Sequence, residues 1–188
     1  MKTNLILLIS LLALLSCTAI DSTLSTRGVI DIKKSKMDGT QIVSMSPVLS
    51  TSGLKDIQAE FGLYWDSSKG DNALFIVEIL GAENFNPEMP FELKVDGEHI
   101  QLRPASKTEF GDIETYYGSE WIPAHNKSRK NYLINKNQIL KIANGKEAYY
   151  KIWFLGNKFS EGEISYHFQD YQSFVPYSFR QFYSKAWN

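Results

Sequence analysis

A single cysteine, Cys17, stands among 188 residues, and that scarcity excludes more than any motif does. One thiol can form neither an internal disulfide nor a cysteine-based zinc cluster, so the fold has to be held by packing alone. The usual signatures of chemistry are missing as well: there is no G-x-S-x-G elbow, no S-x-x-K pair, no H-E-x-x-H helix and no glycine-rich phosphate loop. The 12 glycines are dispersed at turn-like positions. His99, His125 and His167 stand far apart on different expected elements, and no catalytic residue, metal ligand or cofactor site is assigned. An excess of positive charge is also lacking. The 20 Lys and Arg against 21 Asp and Glu are spread along the chain and make no clustered surface of the kind that binds phosphate backbones, so nucleic acid is not expected as a partner.

No apolar run is long enough to cross a bilayer. The longest, Leu5 to Leu15, is broken only by Ser10 and falls short of the roughly 18 to 20 residues a spanning helix needs. With Lys2 ahead of it, this is the anatomy of a signal peptide. The run closes on Leu14-Leu15-Ser16-Cys17, which resembles the lipobox of bacterial lipoproteins: a leucine three places before the cysteine and a small residue just before it. The resemblance implies a diacylglycerol on the Cys17 sulfur, removal of residues 1–16 and acylation of the new amino group. Two or three acyl chains hold a protein essentially permanently, where one gives only marginal binding. Thr18 in place of an aspartate implies, in an organism with two membranes, transfer to the outer one. The competing reading makes Cys17 merely the small residue that ends a plain signal peptide.

From Thr18 to Arg27 the chain is rich in Ser and Thr without a sustained period, so residues 17–27 read as a flexible tether. Residues 28–188 read as one β-rich domain, for which 43% hydrophobic and 13% aromatic residues supply an ample core. Short alternating runs are separated by turn signals at hairpin spacing. Val29 to Lys36 and Thr40 to Ser46 flank Asp38-Gly39; Ile57 to Trp65 and Ala73 to Leu80 flank a polar turn over 66–72; Phe91 to Val95 and His99 to Arg103 flank Asp96-Gly97. The nearly unbroken apolar run Ala73 to Leu80 predicts a central strand covered on both faces.

The period then changes. Asn135 and Gln138 imitate a capping box, and Asn144-Gly145 marks a stop, predicting a short helix over 135–144. It leads into another β-rich run, Tyr149 to Leu155. Val175, Phe179, Phe182, Tyr183 and Ala186 line one face of an amphipathic C-terminal helix, with Pro176 tolerable only in its first turn. The fold class expected is therefore mainly β (α+β): an antiparallel sheet or sandwich built from hairpins, with the short helix and the C-terminal helix packed on it.

The densest basic stretch runs from His125 to Lys130, after the aromatic residues Tyr116, Tyr117 and Trp121. It reads either as a loop touching anionic envelope material through His125, Lys127, Arg129 and Lys130, or as a solvated connection. Tyr171, Tyr177 and Trp187 fall off the helical face and invite a platform for sugars or peptides. Asp66 to Asp71 lacks the alternating oxygen ligands and late glutamate of a calcium loop and reads as a turn. Plentiful carboxylates leave a glycosidase-type pair open, because such pairs are set by spatial separation.

Three functions follow. The first is a non-enzymatic envelope lipoprotein, anchored through Cys17, that binds or helps assemble an envelope protein or cell-wall polymer. The second is an envelope hydrolase acting on glycan or peptide. The third is an inhibitor of an envelope or host enzyme that projects a loop over 104–130.

Overall fold

A computed structural model describes residues 28–50, 59–106, 113–116, 125–165 and 174–188. The leader, Cys17 and the tether lie outside these residues. The architecture is mainly β: two antiparallel sheets and two helices. The larger sheet has the order β1 (Ile30–Lys34), β2 (Gln41–Leu49), β3 (Ala59–Asp66), β4 (Asn72–Leu80), β8 (His125–Asn135), β7 (Ile113–Tyr116). The smaller has the order β10 (Phe159–Ser165), β9 (Ala148–Trp153), β5 (Phe91–Val95), β6 (Glu98–Leu102). The helices are α1 (Lys136–Asn144) and α2 (Phe174–Trp187).

All three expected hairpins form, each with its own turn chemistry. Asp96 (φ 48°) and Gly97 (φ 86°) both take positive φ, as a two-residue type I′ turn requires, and Val95 pairs with Glu98 across it. At Asp38-Gly39 only the glycine does so, at φ 74°. Ser35 there donates to the Thr40 carbonyl at 2.8 Å, which makes a longer loop than a two-residue turn. Between β3 and β4 the Asp66 carboxylate accepts from Ser68 N–H at 2.8 Å and caps a 3-10 turn. Strand β4 lies between β3 and β8, and its residues from Phe75 to Ile79 are buried on both faces.

The strand registers sort side chains into an inner and an outer set. Phe61, Phe75 and Tyr132 of the larger sheet and Phe91 and Tyr150 of the smaller meet ring to ring between the sheets, with Phe61–Tyr150 centroids 5.1 Å apart and Phe75–Phe91 5.0 Å apart. Along one side the sheets are joined: Pro104, just past β6, bridges Tyr132 of β8, and Leu133 N–H donates to the Arg103 carbonyl at 2.9 Å. Helix α2 packs against β2 and also touches β1, β3, β10 and α1, filling the opposite side. It buries the expected face, Val175, Phe179, Phe182 and Ala186, and Phe179 reaches Phe75. Pro176 lies in its first turn.

Helix α1 begins with the expected capping box, Gln138 N–H to the Asn135 side chain at 3.0 Å and Asn135 N–H to the Gln138 side chain at 2.9 Å. Its stop differs from the expected one. Gly145 is not left-handed (φ −63°, ψ 142°); it is small because a Cβ there would stand 2.5 Å from Val95 Cγ1. Gly145→Ala is accordingly expected to cost about 1–3 kcal/mol through overpacking, read as a lower urea midpoint, and an unchanged midpoint would show that the Val95 side chain yields freely.

Candidate functional surfaces

The basic stretch 125–130 is no loop. It forms the first half of β8, which pairs with β4 along its length and with β7 over 125–128. Alternation splits its cations. Lys127 and Arg129 lie on the outer face, whereas Lys130 stands on the inner face opposite Val77 and is 1% exposed. The four anion-contact candidates are therefore not gathered: Lys130 points into the sandwich, and His125 opens the strand in register with Tyr116. The loop imagined for an inhibitor is curtailed too, since 125–130 is strand; residues 107–112 and 117–124, with Tyr117 and Trp121, lie outside the described residues.

What the outer face does assemble is a charge cluster. Glu60 and Glu78 sit directly opposite each other on β3 and β4, an arrangement that destabilises a sheet unless neutralised. Lys127 Nζ bridges them, 3.1 Å from Glu60 Oε2 and 3.3 Å from Glu78 Oε2, and Arg129 Nη1 stands 3.7 Å from Glu78 Oε1. Burial pushes the Lys127 ammonium down, but the hydrogen bond and charge of Glu60, joined by those of Glu78, outweigh it and hold the group above the ordinary lysine value. Both carboxylates are thus engaged by one cation, as a structural clasp.

On the outer face of the smaller sheet, Lys151 Nζ lies 4.4 Å from the Trp153 ring centroid and 3.9 Å from that of Phe159, and pairs with Glu161 at 3.0 Å. Trp153 Nε1 donates to Glu92 at 2.7 Å. Phe159 and Tyr149 remain about half exposed, and the charges of Glu147, then burial, then Glu163 raise the Tyr149 hydroxyl above its ordinary value. The β-rich run from Tyr149 to Leu155 was visible in the sequence; its union with β10 was not. The ring faces are already occupied by the protein's own ammonium.

The C-terminal platform is divided. Tyr177 is about half exposed, while Trp187 packs against Trp65, Phe182 and Tyr183 and donates to the Gly70 carbonyl at 3.0 Å. Tyr171 and His167 lie outside the described residues. His99 is exposed on β6. A shallow depression is lined by Asp96, Asn137, Leu140, Lys141, Asn144 and Gly145; Asp96 there already accepts from Lys146 and Glu147 N–H at 2.9 and 3.0 Å, and Lys141 pairs with Glu98. Among the described residues no group of three or more His, Cys, Asp or Glu is placed to hold a metal ion, and no helix is long and apolar enough to cross a membrane. No protein-family model, no curated protein and no solved structure matches the chain.

Proposed function

We propose that this chain is a bacterial envelope lipoprotein, held by acyl chains on Cys17 and carrying a non-enzymatic binding domain. The observation that carries this reading is the sequence Leu14-Leu15-Ser16-Cys17 at the close of an apolar run, in a chain whose one thiol is that cysteine. The sulfur is free for lipid, since no second cysteine exists to bond with it. Residues 17–27 tether the lipid to Gly28, and Thr18 directs the protein to an outer membrane where there is one. A binding role fits the surfaces better than hydrolysis does. The Glu60–Glu78 pair, directly opposed across β3 and β4, is clasped by Lys127, whereas the Tyr149 side chain stands exposed on the smaller sheet.

Cys17→Ser is expected to abolish incorporation of radioactive palmitate and to leave an uncleaved precursor. Normal labelling of the variant would sink the lipoprotein reading. For the binding role, the purified full-length protein should retain a specific envelope partner after crosslinking in membranes; turnover of a cell-wall substrate without any such partner would reverse the ranking in favour of the hydrolase.

A further inference from the structure

Strand β1 is the edge of the larger sheet, paired only with β2 among the described residues, and every residue from Asp31 to Lys34 is exposed. Register separates its side chains. Asp31 and Lys33 share the outer face and pair with each other at 2.8 Å. Ile32 and Lys34 share the inner side, opposite Val43 and Gln41, where the edge overhangs the core. Ile32 is 47% exposed, and Met37, at the tip of the hairpin, is 98% exposed.

Gln41 draws further cations to this end. Its backbone N–H donates to Ser67 Oγ at 3.0 Å, in the turn that carries Lys69, and its side chain donates to the Lys185 carbonyl at 3.2 Å, in the last turn of α2. Lys34, Lys36, Lys69 and Lys185 are all exposed there and form no ion pair among the described residues. Of the acidic groups at this end, Asp31 and Asp71 are paired with Lys33 and Lys136, each at 2.8 Å, which leaves Asp38 and Asp66 as the opposing charges. Each is turned to its own backbone, Asp38 accepting from Thr40 N–H at 3.0 Å and Asp66 from Ser68 N–H at 2.8 Å. In a chain of formal net charge −1, this end is a local excess of ammonium groups around two exposed apolar side chains. Lysines flanking an exposed apolar tip suit an anionic bilayer surface, where the ammonium groups meet headgroups and the apolar tip enters the interface.

We propose that the β1–β2 hairpin end is a second membrane contact, in which Lys34, Lys36, Lys69 and Lys185 meet anionic headgroups and Met37 and Ile32 enter the interface. The reach is adequate. Residues 17–27, fully extended, span at most about 40 Å, and the hairpin tip lies about 30 Å from Gly28 along the strand, so the lipid on Cys17 and this patch can meet the same bilayer. The domain would lie down on the membrane and not sway on its tether.

The test reads surface protection in the full-length acylated protein, reconstituted in vesicles of zwitterionic phosphatidylcholine alone or with added anionic phosphatidylglycerol. Amine acylation of Lys34 and Lys36 and peroxide oxidation of Met37 are followed by peptide mass spectrometry, with Lys94 on the smaller sheet as the internal reference. Anionic vesicles are expected to slow the hairpin reactions about fivefold or more relative to Lys94, and salt to remove the effect. The double variant Lys34→Gln/Lys36→Gln changes exposed side chains only and should lose the Met37 protection. Equal rates on both vesicles, or equal protection on both, overturns the proposal; so does protection by a soluble anionic polysaccharide with none by vesicles. The inference leans on the lipoprotein reading for its geometry, yet the two fail separately. A Cys17 without acyl groups defeats the lipoprotein reading, while the same vesicle comparison on the unacylated chain still decides the patch.

Discussion

Phe91→Ala is expected to lower the unfolding free energy by about 3–5 kcal/mol. Phe91 is fully buried at the start of β5, and its ring meets four others: Phe75 at 5.0 Å, Tyr132 at 5.4 Å, Phe61 at 5.8 Å and Tyr150 at 6.2 Å. Phe61, Phe75 and Tyr132 come from the larger sheet, so truncation opens a cavity at the place where the two sheets are pinned together. Surrounding rings are stiff and cannot collapse into it, which places the cost toward the upper end of that range. With no disulfide to hold the sheets, the loss should appear as one cooperative shift of the urea midpoint. Phe91→Leu keeps most of the volume and should lose roughly half as much. A loss below about 1 kcal/mol for the alanine variant would mean that the inter-sheet contact is not the centre of the core.

The elements that were legible in the sequence are those whose signals are local. The Asp96-Gly97 turn, the capping box of Asn135 and Gln138, and the one-sided spacing of Val175, Phe179, Phe182 and Ala186 all act within a few residues, and each appears in the structure. Strands β8 and β10 were hidden by residues whose reasons lie far away in the chain. In β8 the inner register is Ser128, Lys130, Tyr132, Ile134, so a serine and a lysine occupy positions where apolar residues would have announced a strand. Ser128 is there to accept from Glu83 N–H and donate to the Gly81 carbonyl, both at 2.8 Å. In β10 the inner position Gly162 mimics a turn signal; it is small because a Cβ would lie 2.5 Å from the Tyr150 hydroxyl. Gly145 misleads in the same way, being required by Val95 and not by backbone conformation.

The candidate surfaces were less legible than the fold, for a related reason. Alternation along β8 could have separated Lys127 and Arg129 from Lys130 once the segment was known to be a strand. Nothing near Lys127 in the chain points to Glu60, 67 residues away, and nothing near Phe159 points to the ring of Trp153 beyond the turn that joins them. The basic hairpin end was equally diffuse, because Lys34, Lys69 and Lys185 come from three distant segments that meet only around Gln41.

Lys127→Met should cost about 2 kcal/mol near neutral pH, between the value of an exposed ion pair and that of a fully buried one. The methionine keeps much of the apolar stem and removes the ammonium that bridges Glu60 and Glu78 across two paired strands, while Arg129 stays 3.7 Å from Glu78. Glu60→Gln in the same chain removes one of the two charges and should recover part of the loss, which separates charge from packing in a double-mutant comparison. The pH dependence has a definite sign. In the folded protein the Lys127 ammonium is held above the ordinary lysine value of 10.5, so its contribution is fully present below that value and is lost as pH rises through the raised folded one. The gap in stability between wild type and Lys127→Met should therefore be constant through neutral pH and close in the alkaline range above about 10.5. Measuring the difference cancels the alkaline response of Lys33 and Lys136, which Asp31 and Asp71 raise in the same direction. A gap that stays open at high pH would assign the loss to packing of the lysine stem.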